Sequence, residues 1–182
     1  VLSDTRIGEV GAILNYDQWD GYHPARERLL AGAPPNFVTL TGDIHLAGVA
    51  EIGQIGEPLG IEFITTAISS TANVDPALAD IVLSIPSIVD GDLVSRGYTR
   101  HTVTTDAWTA EYRQVADIAD PDSDVTTWKT FRVDAGTPAV TGTWNATART
   151  ITTPLGDIDP GVTRAYEYRA KVAGNVAPGT VL

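Results

Sequence analysis

The stretch Asn36-Phe37-Val38-Thr39-Leu40-Thr41-Gly42-Asp43-Ile44-His45 decides how this sequence is read. Asn36 to Thr41 is a β-rich, near-continuously apolar run, which predicts a strand buried in a sheet. Gly42 ends it. Ligands commonly gather where such strands stop and loops leave the sheet. If the chain stays extended, residues two apart share one side. Asp43 and His45 would then offer a carboxylate oxygen and an imidazole nitrogen to one pocket. Carboxylate suits hard ions such as calcium or magnesium, and imidazole suits iron or zinc. Gly42 lets the backbone approach a bound ion or phosphate closely. The simpler alternative is a β-turn in which Asp43 caps backbone N–H groups and His45 is satisfied in the core.

Upstream, residues 1–15 are mixed in composition and read as irregular. Asp17-Gln18-Trp19-Asp20-Gly21-Tyr22-His23-Pro24 leads into a short helix over about Pro24 to Ala31. Proline suits a first helical position, where its missing N–H costs nothing. Gly32 and Pro34-Pro35 stop it. Asp20 is expected to cap the following turn while the aromatics pack on the sheet. The alternative makes Asp17 and Asp20 pocket carboxylates with Trp19 or Tyr22 as a wall.

Downstream, the runs Leu46 to Ile52 and Ile61 to Ile68 read as strands. Asp75-Pro76 reads as a cap and first residue of a short helix to about Val82, and Pro86 prevents its continuation. From Gly97 the chain is strongly β, with strands over Tyr98 to Thr105, Trp108 to Val115 and Thr126 to Val133. Asp106-Ala107 is a tight connection. Asp120, Asp122 and Asp124 alternate as in a calcium loop. An EF-hand needs Gly sixth and Glu twelfth, where this chain has Val125 and Phe131, so a solvated hairpin loop is expected. In Arg96-Gly97-Tyr98-Thr99-Arg100-His101, Arg96 either holds a phosphate or carboxylate or is an ordinary exposed charge at a strand entry, with Gly97 making a bend. Beyond Gly136-Thr137-Pro138 the composition shifts to Thr, Ala, Gly and Pro. Two regions follow: 1–135, and a Thr/Ala/Gly-rich extension, 136–182. The fold class is strand-rich α+β or α/β.

Composition excludes several classes of function. The 182 residues carry 12 Lys plus Arg against 23 Asp plus Glu, a net charge of −11, which disfavours a nucleic acid-binding surface. Hydrophobic residues make up 43%, too many for a disordered acidic tail. No apolar run is long enough to span a bilayer. With Cys at 0, disulfides and zinc–thiolate sites are excluded. Ser69 and Ser70 lack a G-x-S-x-G setting, so no nucleophile elbow is expected. The sequence begins at Val1 rather than Met, which predicts a trimmed or partial chain.

Several segments together resemble the C-terminal half of alkaline phosphatase D (PhoD)-like metallophosphatases. They are Asp17-Gln18-Trp19-Asp20-Gly21-Tyr22 with Ala25-Arg26-Glu27-Arg28-Leu29-Leu30; Phe37 through His45; Glu62-Phe63-Ile64-Thr65-Thr66-Ala67-Ile68-Ser69-Ser70; and Arg96-Gly97-Tyr98 followed by Trp108-Thr109-Ala110-Glu111-Tyr112-Arg113. The resemblance covers roughly Asn15 to Val133. It implies the C-terminal half of a calcineurin-like β-sandwich flanked by helices. It also implies hydrolysis of phosphomonoesters or phosphodiesters with calcium and iron, other divalent metals being alternatives, in an exported, extracellular or periplasmic protein. Asp43 resembles a metal-ligand aspartate of the family, and His45 would sit beside the metals or the phosphate. The family's earlier ligands lie in its N-terminal half. The expected partners are therefore a phosphate ester and that missing half, and this chain alone is expected to be inactive. A secreted β-rich binding or structural module without catalysis is the competing expectation.

Overall fold

A computed structural model describes residues 1–6, 16–71, 75–145 and 150–152. Two sheets face each other. The first contains β1 (Phe37–Thr41), β2 (Ala47–Gln54), β3 (Glu57–Ile64) and β4 (Ile88–Asp92), in the order β1-β3-β2-β4. The second runs in sequence order through β5 (Arg96–Val103), β6 (Ala107–Val115), β7 (Val125–Asp134), β8 (Gly142–Asn145) and β9 (Thr150–Thr152). Helices are few. A 3-10 turn, Trp19–Tyr22, leads into α1 (His23–Ala31), and another, Pro76–Leu78, into α2 (Ala79–Leu83). This is a strand-rich α+β fold.

The central core draws on both sheets. Val49, Ile61 and Phe63 from the first meet Ala110, Tyr112, Phe131 and Val133 from the second. Phe63 and Phe131 are wholly buried, and each large apolar side chain so placed contributes about 1.5–3 kcal/mol. Tyr112 packs edge-on against Phe131 and Trp128. Its hydroxyl donates to Gly48 O across the sandwich at 2.5 Å. Burial accordingly pushes the phenol far above its ordinary pKa.

Several expected elements are displaced, each for a local reason. β1 is half-buried rather than enclosed, with Leu40 54% exposed, because it is the edge strand of its sheet among the described residues. The strand expected over 61–68 begins earlier, at Glu57, because Ile55-Gly56 makes a two-residue hairpin between β2 and β3. β4 was not expected: Ile-Val-Asp-Gly-Asp is polar for a strand, and among the described residues it pairs with β2 alone. Pro24 takes the second helical position and Gly32 the C-cap. Asp75 caps the turn as expected, accepting from Ala77 N at 2.9 Å. The loop after β6 is exposed and closed on itself, Asp120 Oδ1 accepting from Asp122 N and Ser123 Oγ from Asp117 N. The expected boundary near 136 falls between β7 and β8, and β8 continues the same sheet. The region 7–15, read as irregular, and most of the extension lie outside the described residues.

His101 shows how burial at the sandwich edge sets a pH dependence. Its ring lies 5.4 Å from Phe63, and its Nδ1 accepts from Trp108 Nε1 at 2.9 Å. That bond requires bare Nδ1, so the ring is the neutral Nε2–H tautomer. Burial lowers its pKa below the ordinary histidine value. The unfolded chain then binds the extra proton first. This contribution to stability is complete above the unfolded pKa of about 6.5 and falls as pH drops through the folded one. Denaturation midpoints should decline on acidification, less steeply in His101→Gln. Identical slopes would overturn the assignment.

Candidate active site

β1 delivers Thr41 to the end of the first sheet, and Thr65 N donates to Thr41 O at 2.8 Å, extending the pairing by one residue. Beyond it the chain does not stay extended. Asp43 has φ +73° and His45 φ +57°. Ile44 N donates to Gly42 O at 2.9 Å, which makes residues 42–44 a γ-turn of the strained, positive-φ form. Ile44 packs against the cluster of Leu46, Ala50, Ile64 and Leu93. The two-residue alternation expected for Asp43 and His45 therefore does not apply here, because a turn replaces the strand geometry it presumes. Two left-handed non-glycine residues cost about 1–2 kcal/mol each and persist only where surrounding contacts fix them.

Those contacts come from several elements. Gln18, buried just before the 3-10 turn, donates through Nε2 to Asp43 Oδ2 at 3.1 Å. Gly21 permits that turn: a Cβ there would lie 1.8 Å from Tyr16 O. A cleft of about 440 Å³ opens beside it, lined by Asp17, Gln18, Trp19, Tyr22, Ala25 and Asp43. Asp17 and Asp43 thus share one cleft. Trp19 and Tyr22 are 36% and 55% exposed, forming its wall instead of packing on a sheet. Asp20 turns away. It is buried and accepts from Thr5 N at 2.8 Å and Thr5 Oγ1 at 2.6 Å, so it holds the segment 1–6 and does not cap the turn.

His45 is not among the residues lining that cleft. Its Nδ1 lies 2.8 Å from Thr71 O. A carbonyl only accepts, so Nδ1 carries a proton; in the neutral ring this leaves Nε2 as the nitrogen with a lone pair, the one a metal ligand or proton acceptor would use. Arg96 is buried rather than exposed, and its Nη1 donates to His45 O at 3.2 Å.

Sequence reasoning passed over Glu62 as a working residue. It is wholly buried in the middle of β3. Its Oε1 accepts from Leu2 N at 2.7 Å and from Thr41 Oγ1 at 2.9 Å, and its Oε2 from Ser3 N at 2.9 Å. Arg26, the buried residue of α1, donates to Leu2 O at 2.6 Å. An acidic residue inside the apolar run Ile61-Glu62-Phe63-Ile64 was the available signal, since a lone carboxyl seldom enters a core unpartnered.

As a metal site the described residues are partial. No group of three or more His, Asp or Glu among them is placed to hold one ion. Asp17 and Asp43 offer carboxylate oxygens on the cleft, donor chemistry that fits a hard cation, while His45 stands outside its lining.

The family model for PhoD-like phosphatases matches residues 2–112. Alkaline phosphatase D of Bacillus subtilis (strain 168) is 32% identical over 130 residues. That alignment covers 65% of this chain and 22% of the relative, so the chain spans less than a quarter of that protein's length. A solved structure of PhoD superposes with a TM-score of 0.64 at 26% identity, over 77% of this chain and 31% of the other. The chain belongs to the PhoD-like phosphatase family.

Proposed function

We propose that this chain forms part of a metal-dependent phosphoric ester hydrolase acting on phosphomonoesters or phosphodiesters. The observation that carries the reading is the strained turn at Asp43, held open on an aromatic-walled cleft by Gln18. Asp43 holds a metal, and His45 contributes through Nε2 as a ligand, by positioning the ester, or by assisting proton transfer between the attacking water and the leaving-group oxygen. Calcium and iron are the favoured ions because of the resemblance to PhoD-like enzymes; the donor types alone suit calcium or magnesium and iron or zinc. A cation bound there supplies Lewis acidity toward phosphoryl oxygens and makes a bound water more acidic.

The rest follows from this chain's own residues. Gln18 fixes the orientation of the Asp43 carboxylate, so little reorganisation accompanies binding. Trp19 and Tyr22 give the cleft an aromatic wall on one side. The remaining ligands come from polypeptide outside this sequence, on the same or a separate chain, which the small share of each relative covered supports. Export belongs to the same reading. No helix among the described residues is long and apolar enough to cross a membrane.

Purified complete polypeptide should contain iron and calcium and hydrolyse p-nitrophenyl phosphate or bis-p-nitrophenyl phosphate. Chelation should remove the activity and added metal restore it. Turnover unaffected by exhaustive chelation would overturn metal dependence. A folded complete protein without metal or turnover would favour a binding module.

A further inference from the structure

Arg96 begins β5 in the second sheet yet reaches the turn that follows β1 in the first. It is 8% exposed, and among the described residues no carboxylate forms an ion pair with it. Its Nη1 donates to Ser95 O at 2.8 Å and, at 3.2 Å, to both His45 O and Thr66 Oγ1. Thr66 Oγ1 lies 3.2 Å from His45 O and 3.1 Å from Ser95 O, so its single proton serves one of them at a time. A buried cation is expensive unless hydrogen bonds replace its water. One of those bonds reaches the carbonyl of His45, a residue whose φ of +57° needs outside support.

The placement of Arg96 is itself fixed from several sides. Gly97 lies so close to β6 that a Cβ would meet Arg113 O at 1.8 Å, and Gly97 N donates to Ala67 O at 3.1 Å. Just before it, Asp92 accepts from Val94 N at 2.8 Å and from Ser95 N and Ser95 Oγ at 2.9 Å each. Burial of Asp92 pushes its pKa up, but these bonds outweigh it and hold the carboxyl below its ordinary value. The ring of His45 is anchored separately, at Thr71 O.

We propose that Arg96 is a positioning residue for His45, fixing its backbone carbonyl so that the ring presents Nε2 in one direction. This rests on the reading of His45 as a residue of the reacting centre. It also assigns the second sheet a part in the chemistry of the first. Arg96 does not touch substrate and acts through His45 alone.

The test uses the complete polypeptide with Arg96→Met, Arg96→Lys, Thr66→Val, His45→Ala and the double variant Arg96→Met/His45→Ala. Removing an outer partner of a ligand typically lowers activity about 10–100-fold. Arg96→Met should lower kcat by that factor with KM little changed. Arg96→Lys, which keeps a cationic donor, should recover part of the loss. Thr66→Val, of similar volume, should give a smaller loss in the same direction even where the Arg96 variants fold poorly. The double variant should be no slower than His45→Ala alone, because coupled residues are not additive. Nitrogen-15 spectra of the His45 ring should show the Nδ1–H tautomer in the wild type, lost or mixed in Arg96→Met and perturbed in Thr66→Val. Additive rate losses, or ring nitrogens unchanged in both variants, overturn the proposal. If the wild type hydrolyses no phosphate ester, the functional reading fails while the ring spectra still decide the positioning role.

Discussion

Asp43→Asn in the complete polypeptide should lower phosphate ester hydrolysis by roughly a thousandfold or more. A metal ligand supports several kcal/mol of transition-state stabilisation, and each ~1.4 kcal/mol is a factor of ten in rate. Asparagine is the informative replacement, because it tolerates the φ of +73° at this position better than other side chains. The turn and its γ-turn bond then survive while the charge is lost. Asp43→Ala should lose at least as much, with an added backbone cost. Asp122→Ala, in the exposed loop after β6, should leave turnover unchanged and serves as the control for charge alone. Turnover of Asp43→Asn within a few-fold of wild type would remove Asp43 from the site.

Glu62→Ala should be the most damaging single change to stability. It withdraws the acceptor from Leu2 N, Ser3 N and Thr41 Oγ1, with the first two contacts lying in the interior. Each buried donor left without a partner costs about 1–3 kcal/mol, so the total is about 3 kcal/mol or more. In a domain of this size that is a fall in Tm of roughly 10 °C. Glu51 is the contrast. It is on the neighbouring β2, and burial raises its pKa with no hydrogen bond opposing it. Its folded pKa is raised, so the folded protein gains nothing from its charge, and Glu51→Gln should be neutral or slightly stabilising. A Tm for Glu62→Ala within about 2 °C of wild type would show that water replaces the lost acceptor.

The sequence made some of this legible and concealed the rest, for identifiable reasons. Strands β5, β6 and β7 are legible because Thr, Val, Tyr, Trp and Phe fit a half-buried pleated surface, and their connections are short or rich in Asp. β4 is not legible, since its place depends on β2 offering a free edge rather than on its own composition. The loop Gly42–His45 was located by the strand that precedes it. Its shape was not, because two left-handed residues are sustained by Gln18, Arg96 and Thr71, all distant in the chain. Asp20 was misread for a similar cause. A capping residue and a tertiary acceptor look alike in sequence, and only the position of Thr5 separates them.

The bond from Tyr112 to Gly48 joins residues 64 apart in the chain. The hairpin of β2 with β3 and the meander from β5 to β7 can each assemble from close sequence neighbours. Bringing one onto the other requires closing the long segment between them before the shared core rewards it. The entropy of that closure rises slowly with length but precedes any gain. Closure of the sandwich seam, where Tyr112 sits, is therefore expected to slow folding. The same seam separates Arg96 from His45, so the contact that supports the His45 carbonyl exists only where the two sheets have met.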